Sequence, residues 1–320
     1  LKNMSNIEKY SALCAKEQSI PIFIRDWWLD SVCGEGNWDV VLLENKSEII
    51  AALPYNKTKI RSFDAITNPS LSQNHGPWLK EIKGKSNKRI STEYKLISEL
   101  YEKLPNFDYY SANWHYSLKN WLPLRWLGYT QTSYYTYIIE DISDLKRVLD
   151  GFTSSYRNKI KKAMEIVSIH TGLGIEDFYY INKKTFDRQG IDIPYSLAFI
   201  KDHDRALSDN KSREIFFAED KDGNIHSSLY LTWDHDSAYV HMVGEDPDFR
   251  NSGAGILLIW EAIQYANKVL GVNRFDFEGS MLPNVERVRR DCGAVPVAYF
   301  HIEKYNSKVL KTLKFIKSLL

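Results

Sequence analysis

Between residues 214 and 302 the spacing of apolar residues changes from alternation to a helical period and back, which restricts the fold more than any other feature. Glu214–Glu219, Ile225–Trp233 and Ala238–Gly244 read as strands. They are joined by Lys221-Asp222-Gly223-Asn224, where Asp-Gly supplies positive φ, and by Asp234-His235-Asp236-Ser237. An antiparallel meander is predicted. After the Asp246-Pro247-Asp248 turn, Gly253-Ala254-Gly255 opens a helix with apolar residues at 256, 259, 260, 263, 266 and 270. Gly271 stands where a helix-terminating glycine belongs. Arg274–Phe277 is a short strand, and a strand–helix–strand crossover makes its two strands parallel. Asn284 is expected to cap a short helix that ends at Cys292 and Gly293, before a last strand over Val295–Ile302.

The 320 residues fit two domains, drawn at 1–150 and 151–320. In the first, Trp38–Leu43 and Glu48–Leu53 form a hairpin, Thr92–Leu104 a helix and Phe107–Ser111 a strand. A helix over Leu118–Leu127 ends at Gly128, and Thr132–Ile139 is a strand. Helix, glycine, then aromatic-rich strand occurs in both halves and reads as an ancient duplication. Ser154–Val167 is a basic helix between the copies.

A net charge of +1 provides no global field for nucleic acid. Cys14, Cys33 and Cys292 contain no CxxC pair, which argues against a disulfide framework or a cysteine zinc site and fits a reducing compartment. No apolar run reaches 18 residues and no signal peptide is read, so a cytoplasmic protein is expected. Seven of the nine tryptophans precede residue 127, and core filling outweighs sugar stacking for each.

The segment that carries chemistry is Arg250-Asn251-Ser252-Gly253-Ala254-Gly255, an R-x-x-G-x-G between a strand and a helix. A helix start offers unpaired N–H groups and partial positive charge. Glycines let the backbone approach a ligand. A pyrophosphate fits there on the backbone of Ser252, Gly253, Ala254 and Gly255, with Arg250 on a phosphate. An ordinary tight turn would show the same hexapeptide, and the meander before it and the long helix after it distinguish the two.

With that loop, residues 214–302 resemble the core of the GNAT acetyltransferases, whose R/Q-x-x-G-x-G/A loop holds the pyrophosphate of coenzyme A. The whole chain resembles the Fem family of peptidoglycan-bridge aminoacyltransferases and their acyl-CoA-using relatives. Four stretches carry this: Gly128-Tyr129 through Asp141-Ile142, Arg157–Ala163, Trp260–Ile263 and Phe275–Gly279. The resemblance implies an α/β (α+β) fold of two tandem GNAT-like domains, each a mixed, mostly antiparallel sheet with flanking helices. It makes the first a degenerate acceptor-side or structural domain and the second the catalytic one. The family's F-K-x-x-F-G reads Val288–Gly293 here, so its lysine, implied to assist charge at the transferring carbonyl, becomes Arg289. No tyrosine acid stands there, and Asp177–Arg213 is too short for a long helical-hairpin arm.

N-acylation needs a neutral amine, a polarised carbonyl and a proton acceptor. Tyr239, His241 and Val243 are expected on one face of the strand beside the thioester, with Tyr239 as a substrate contact. His241 is a candidate base or a hydrogen-bonded core residue, and Glu245 could act through a water. Asp276 and Glu278 are expected on one side of their strand, orienting an ammonium or sugar hydroxyls, unless that face is merely solvated. Arg157, Lys161 and Lys162 offer positive charge to an acidic acceptor or form a solvated basic face. Ser307–Leu320, with Lys308, Lys311, Lys314 and Lys317, is a basic amphipathic helix that packs on its own domain or touches the inner face of an anionic membrane.

The leading expectation is an N-acyltransferase using acetyl-CoA or another acyl-CoA, without a metal, on a small-molecule or lipid-linked amine of the cell envelope, such as an amino sugar. An aminoacyl-tRNA-dependent peptide-bridge ligase is the alternative, and the only one that calls for nucleic acid. A non-catalytic binding module of the same fold is a third.

Overall fold

The computed structural model describes residues 4–319. Helices Asn6–Cys14 (α1) and Asp26–Cys33 (α2) precede strands Trp38–Asn45 (β1), Glu48–Ile60 (β2), Phe63–Thr67 (β3) and Trp78–Leu79 (β4). Ser86–Glu102 (α3), Tyr109–Asn113 (β5), Leu122–Trp126 (α4) and Thr130–Ile139 (β6) follow. Then come Leu145–Gly151 (α5), Ser154–Ile166 (α6), Val167–His170 (β7), Ile175–Asp187 (α7) and Leu197–Asp209 (α8). The meander is Arg213–Asp220 (β8), Ile225–Trp233 (β9) and Ser237–Glu245 (β10), followed by Ala254–Tyr265 (α9) and Arg274–Asp276 (β11). Pro283–Asp291 (α10), Val295–Tyr305 (β12) and Lys308–Leu319 (α11) complete the order.

The same wiring occurs twice. β1, β2 and β3 run antiparallel, α3 crosses over, and β5 lies parallel to β3 with Ala65 opposite Tyr109. β8, β9 and β10 run antiparallel, α9 crosses over, and β11 lies parallel to β10 with Ser237 opposite Arg274. Each half then gives its last strand to the other's set. β6 pairs antiparallel with β11, and β12 pairs antiparallel with β5. The compact units are therefore residues 1–134 with 298–320, and residues 135–297, rather than a division at 150. Hydrogen bonding of the exchanged strands, invisible to a reading of consecutive segments, sets these boundaries.

In the first unit the strand order is β1-β2-β3-β5-β12, with β4 on β2. Trp28, Trp38, Trp78 and Trp114 are buried there, so these tryptophans fill the core, whereas Trp126 is exposed. Helix α11 sets Leu310 against Ala65 and Tyr109, with the Lys314 ammonium 3.6 Å from the Tyr109 ring centroid. Lys308, Lys311, Val309, Leu313 and Ile316 remain exposed; the side chains of Lys317 and Leu319, and Leu320 itself, lie outside what the structure describes. No helix among the described residues is long and apolar enough to cross a membrane.

In the second unit the order is β6-β11-β10-β9-β8-β7. Leu257, Leu258, Ile263 and Ala266 of the α9 segment pack on Ala238, Val240, Leu229 and Leu231 of the sheet. Phe275 and Phe277 are fully buried in the same core, each burial worth about 1.5–3 kcal/mol. Two expectations change here. Pro283 at the first position starts α10, with Leu282 at the cap and no side-chain capping bond, because proline's fixed φ already suits that place. In the first half only Leu122–Trp126 of the expected ten-residue segment is helical.

Candidate active site and donor loop

The parallel pairing of β10 with β11 ends at Tyr239 opposite Asp276, while β10 runs on to Glu245. One residue past that point β10 bulges. Val240 faces Leu231 and Met242 faces Tyr230, so His241 is an extra residue without a counterpart on β9. A bulge re-aims side chains. It therefore breaks the expected common face: Tyr239 and His241 are buried, whereas Val243 is 45% exposed.

His241 is the middle of a polar chain. Its Nδ1 is 2.9 Å from Glu278 Oε1, and its Nε2 is 3.4 Å from His203 Nε2 on α8. With Glu278 ionised, Nδ1 carries the proton and donates to the carboxylate. Burial lowers the His203 pKa well below the ordinary histidine value, and neighbouring His241 lowers it further, so His203 is neutral near pH 7. The Glu278 side chain is 15% exposed and that of His241 only 1%, so the carboxylate is the end that meets solvent. Burial raises the Glu278 pKa, and His241 and Arg289 oppose the rise.

Glu278 does not continue the strand. Its φ is +45°, in the left-handed region that non-glycine residues rarely adopt. Strain of that kind persists where the surroundings over-determine it. Here the Glu278 N–H donates to Asp276 Oδ1 at 2.8 Å, and that oxygen also accepts the Thr136 hydroxyl at 2.5 Å. The Gly279 N–H donates to Thr136 Oγ1 at 3.0 Å, and a Cβ on Gly279 would lie 2.0 Å from the Tyr135 carbonyl oxygen. Strand alternation thus does not put Asp276 and Glu278 side by side. Fully buried Asp276 holds the turn that carries Glu278.

Helix α10 contributes Arg289, half-buried with its Nε lacking a hydrogen-bond partner among the described residues. Burial lowers its pKa, while Cys292, Glu278 and Asp276 pull it back up.

The glycine loop follows the C-terminal end of β10. Gly253 has φ +81° and caps α9, and a Cβ there would meet the Lys159 backbone oxygen of α6 at 2.9 Å. Its missing side chain makes room for α6 rather than directly for a ligand. Ser252 Oγ accepts the Ala254 N–H at 3.3 Å, and the Arg250 side chain is exposed. Glu245 is beside this loop: its Oε2 is 3.7 Å from Arg188 Nη1 and 4.0 Å from Arg250 Nε.

Residues 152–283 match the family model of an acetyltransferase (GNAT) domain. No curated relative matches the chain in sequence. Among solved structures, FemX superposes with a TM-score of 0.68 at 11% identity, covering 96% of this chain and 98% of that one. Residues 152–283 are thus a GNAT-type domain, and the chain as a whole shares the fold of FemX. A tandem GNAT protein from the clavulanic acid biosynthesis pathway gives 0.53 at 11% identity, covering 94% and 95%. L-PGS from Bacillus licheniformis gives 0.52 at 10% identity, covering 88% and 89%.

Within this fold, His241, Glu278, Asp276 and Arg289 are drawn to one end of the β10–β11 pairing, and Arg250, Ser252, Gly253, Ala254, Gly255 and Glu245 to the loop. Tyr239 is buried and donates its hydroxyl to Asp234 Oδ2 at 3.0 Å, which turns it away from a substrate contact. Arg157 donates Nη1 to the carbonyls of Asp150, at 3.0 Å, and Phe152, closing the end of α5, so its guanidinium is committed to backbone. Lys161 and Lys162 are exposed. His203 was not singled out from the sequence. The available signal was its place, with Asp204, on the stripe that Ile200 and Leu207 define along α8: polar residues at core-facing positions. Arg188, at the end of α7, has no comparable signal.

Proposed function

We propose that the protein is an N-acyltransferase that moves an acyl group, acetyl in the simplest case, from coenzyme A to an amino group of a cell-envelope precursor such as an amino sugar. The observation that carries this reading is the Glu278–His241 pair where β10 outruns β11. Glu278 is the general base, being the solvent-facing end of the chain, and His241 is its positioning residue. The amine nitrogen bonds to the thioester carbonyl carbon, the C–S bond breaks with its electron pair leaving on sulfur as the coenzyme A thiolate, and the proton lost by the amine passes to Glu278. His241 steadies the carboxylate before transfer, and neutral His203 fixes the imidazole orientation. Arg289 takes the place of the family's lysine and supplies positive charge near the reacting carbonyl. Asp276 acts through the backbone of Glu278.

The donor occupies the start of α9, with the Ser252–Gly255 backbone and Arg250 on its phosphates. A lipid-linked acceptor suits the exposed Val309, Leu313 and Ile316 beside Lys308 and Lys311 of α11, which fit an anionic membrane surface. The second reading, transfer from aminoacyl-tRNA, is supported by the near full-length likeness to FemX.

Mass spectrometry of the native protein for bound CoA, followed by assay of acetyl transfer to glucosamine-type amines, tests the proposal. Transfer from acetyl-CoA that depends on Glu278 is the expected result. Transfer from aminoacyl-tRNA with none from any acyl-CoA would replace it by the second reading.

A further inference from the structure

We propose that Arg188, with Arg250 and Lys159, holds the phosphate charge of the donor, and that Glu245 is a resident carboxylate that competes with it for these cations. This rests on the donor reading of the Arg250–Gly255 loop and extends it to residues from α6 and α7 outside the motif.

Glu245 cannot retreat as a whole. Its N–H donates to Thr185 Oγ1 of α7 at 2.8 Å. At the preceding Gly244 a Cβ would lie 2.7 Å from the Asn182 backbone nitrogen, so α7 packs directly on the strand. The carboxylate is thereby held at the loop. Its Oε1 is 3.9 Å from where a Cβ on Gly255 would be, and its Oε2 faces both guanidiniums. Lys159 adds a third positive charge, its Cβ packed 3.2 Å from the Cβ position of Gly253.

Three cations around one carboxylate leave two positive charges in excess, which matches a pyrophosphate diester. The two arginine contacts, at 3.7 and 4.0 Å, exceed the roughly 2.7–2.9 Å of a charge-assisted hydrogen bond. Neither guanidinium is locked to Glu245, and both can turn their forks to phosphate oxygens. Burial also raises the Glu245 pKa, against the three cations, so an anion entering beside it meets a carboxylate that gives up its charge more readily than an exposed one. Glu245 is therefore part of donor selection and not a base acting through water.

The test is calorimetric titration of the full chain with CoA, with inorganic pyrophosphate as competitor, for wild type, Arg188→Ala, Arg188→Lys and Glu245→Gln. The expected result is about tenfold weaker CoA binding for Arg188→Ala, partial recovery for Arg188→Lys, several-fold tighter binding for Glu245→Gln, and displacement by pyrophosphate, with thermal melts checking that each variant is folded. If wild type binds CoA and neither Arg188→Ala nor Glu245→Gln changes its affinity, the cluster has no part in the donor site and this inference fails while the loop assignment stands. If no variant binds CoA and an aminoacyl-tRNA acceptor stem binds wild type, the acyl-CoA reading itself fails.

Discussion

Glu278 Oε1 lies 2.9 Å from His241 Nδ1, joining a left-handed residue after one parallel strand to the bulged residue of its neighbour. The contact requires both irregularities. Without the bulge His241 would follow the strand's alternation, and without the left-handed turn Glu278 would leave along the line of β11.

Glu278→Gln keeps the shape of the side chain and removes the base. We expect kcat to fall by about 10²-fold or more with KM nearly unchanged. Because burial raises the Glu278 pKa, the wild-type kcat/KM profile should rise with pH through a value above the ordinary carboxylate range. His241→Gln should shift that limb upward, since a favourable neighbour of the charged form is removed. An acidic limb that persists unchanged in Glu278→Gln would remove Glu278 from the chemistry.

Asp276 and Thr136 place Glu278 through its backbone. Thr136→Val should therefore lower kcat while leaving donor affinity as it is, and Asp276→Asn should do the same more strongly. Both should also lower Tm, because a buried hydrogen bond is worth about 0.5–1.5 kcal/mol and an abandoned partner costs more. Equal loss of donor affinity would place these residues elsewhere in the reaction.

Acid should destabilise both units through buried histidines. The His75 pKa is lowered to about 3 and that of His203 well below the ordinary value, in both cases chiefly by burial. The stability these neutral rings contribute is fully present above the unfolded value near pH 6.5 and is lost as pH falls toward the folded values. Each should lower unfolding free energy by about 1.4 kcal/mol per pH unit below 6.5. Urea unfolding between pH 7.5 and 5 measures the slope, and His75→Asn should reduce it by one proton's worth.

Gly279→Ala places a Cβ against the Tyr135 carbonyl and should disrupt folding of the second unit, read as loss of soluble protein or a collapsed Tm. Gly253→Ala should lose about 1–2 kcal/mol from its left-handed φ and displace Lys159. A Gly253→Ala protein with unchanged Tm but no CoA binding would show that the glycine serves the ligand directly.

One donor should bind per chain. The first unit repeats the meander, helix and parallel strand, yet the segment between β3 and α3, residues 68–85, contains no R-x-x-G-x-G. Equilibrium dialysis giving two CoA per chain would contradict this.

Local periodicity determined much of the fold. The β8–β10 meander, the helix after Gly253, the parallel β11 and the left-handed Gly271 all follow from alternation, helical spacing and turn glycines, which act between near neighbours. The residues that make up the candidate site were also legible as types: a histidine on a strand, two carboxylates at the end of a short strand and a glycine loop. Only the tertiary structure decided their arrangement. It exchanged β6 and β12 between the halves, turned Arg157 onto the end of α5, set Glu245 beside the glycine loop, and brought His203 from α8 and Arg188 from α7 to places no motif marks. The physical reason is one of range. A strand's period is written in successive residues, whereas bulge position, strand exchange and burial of a polar chain are set by packing among segments distant in sequence, where one shifted register reverses which side chain faces the site.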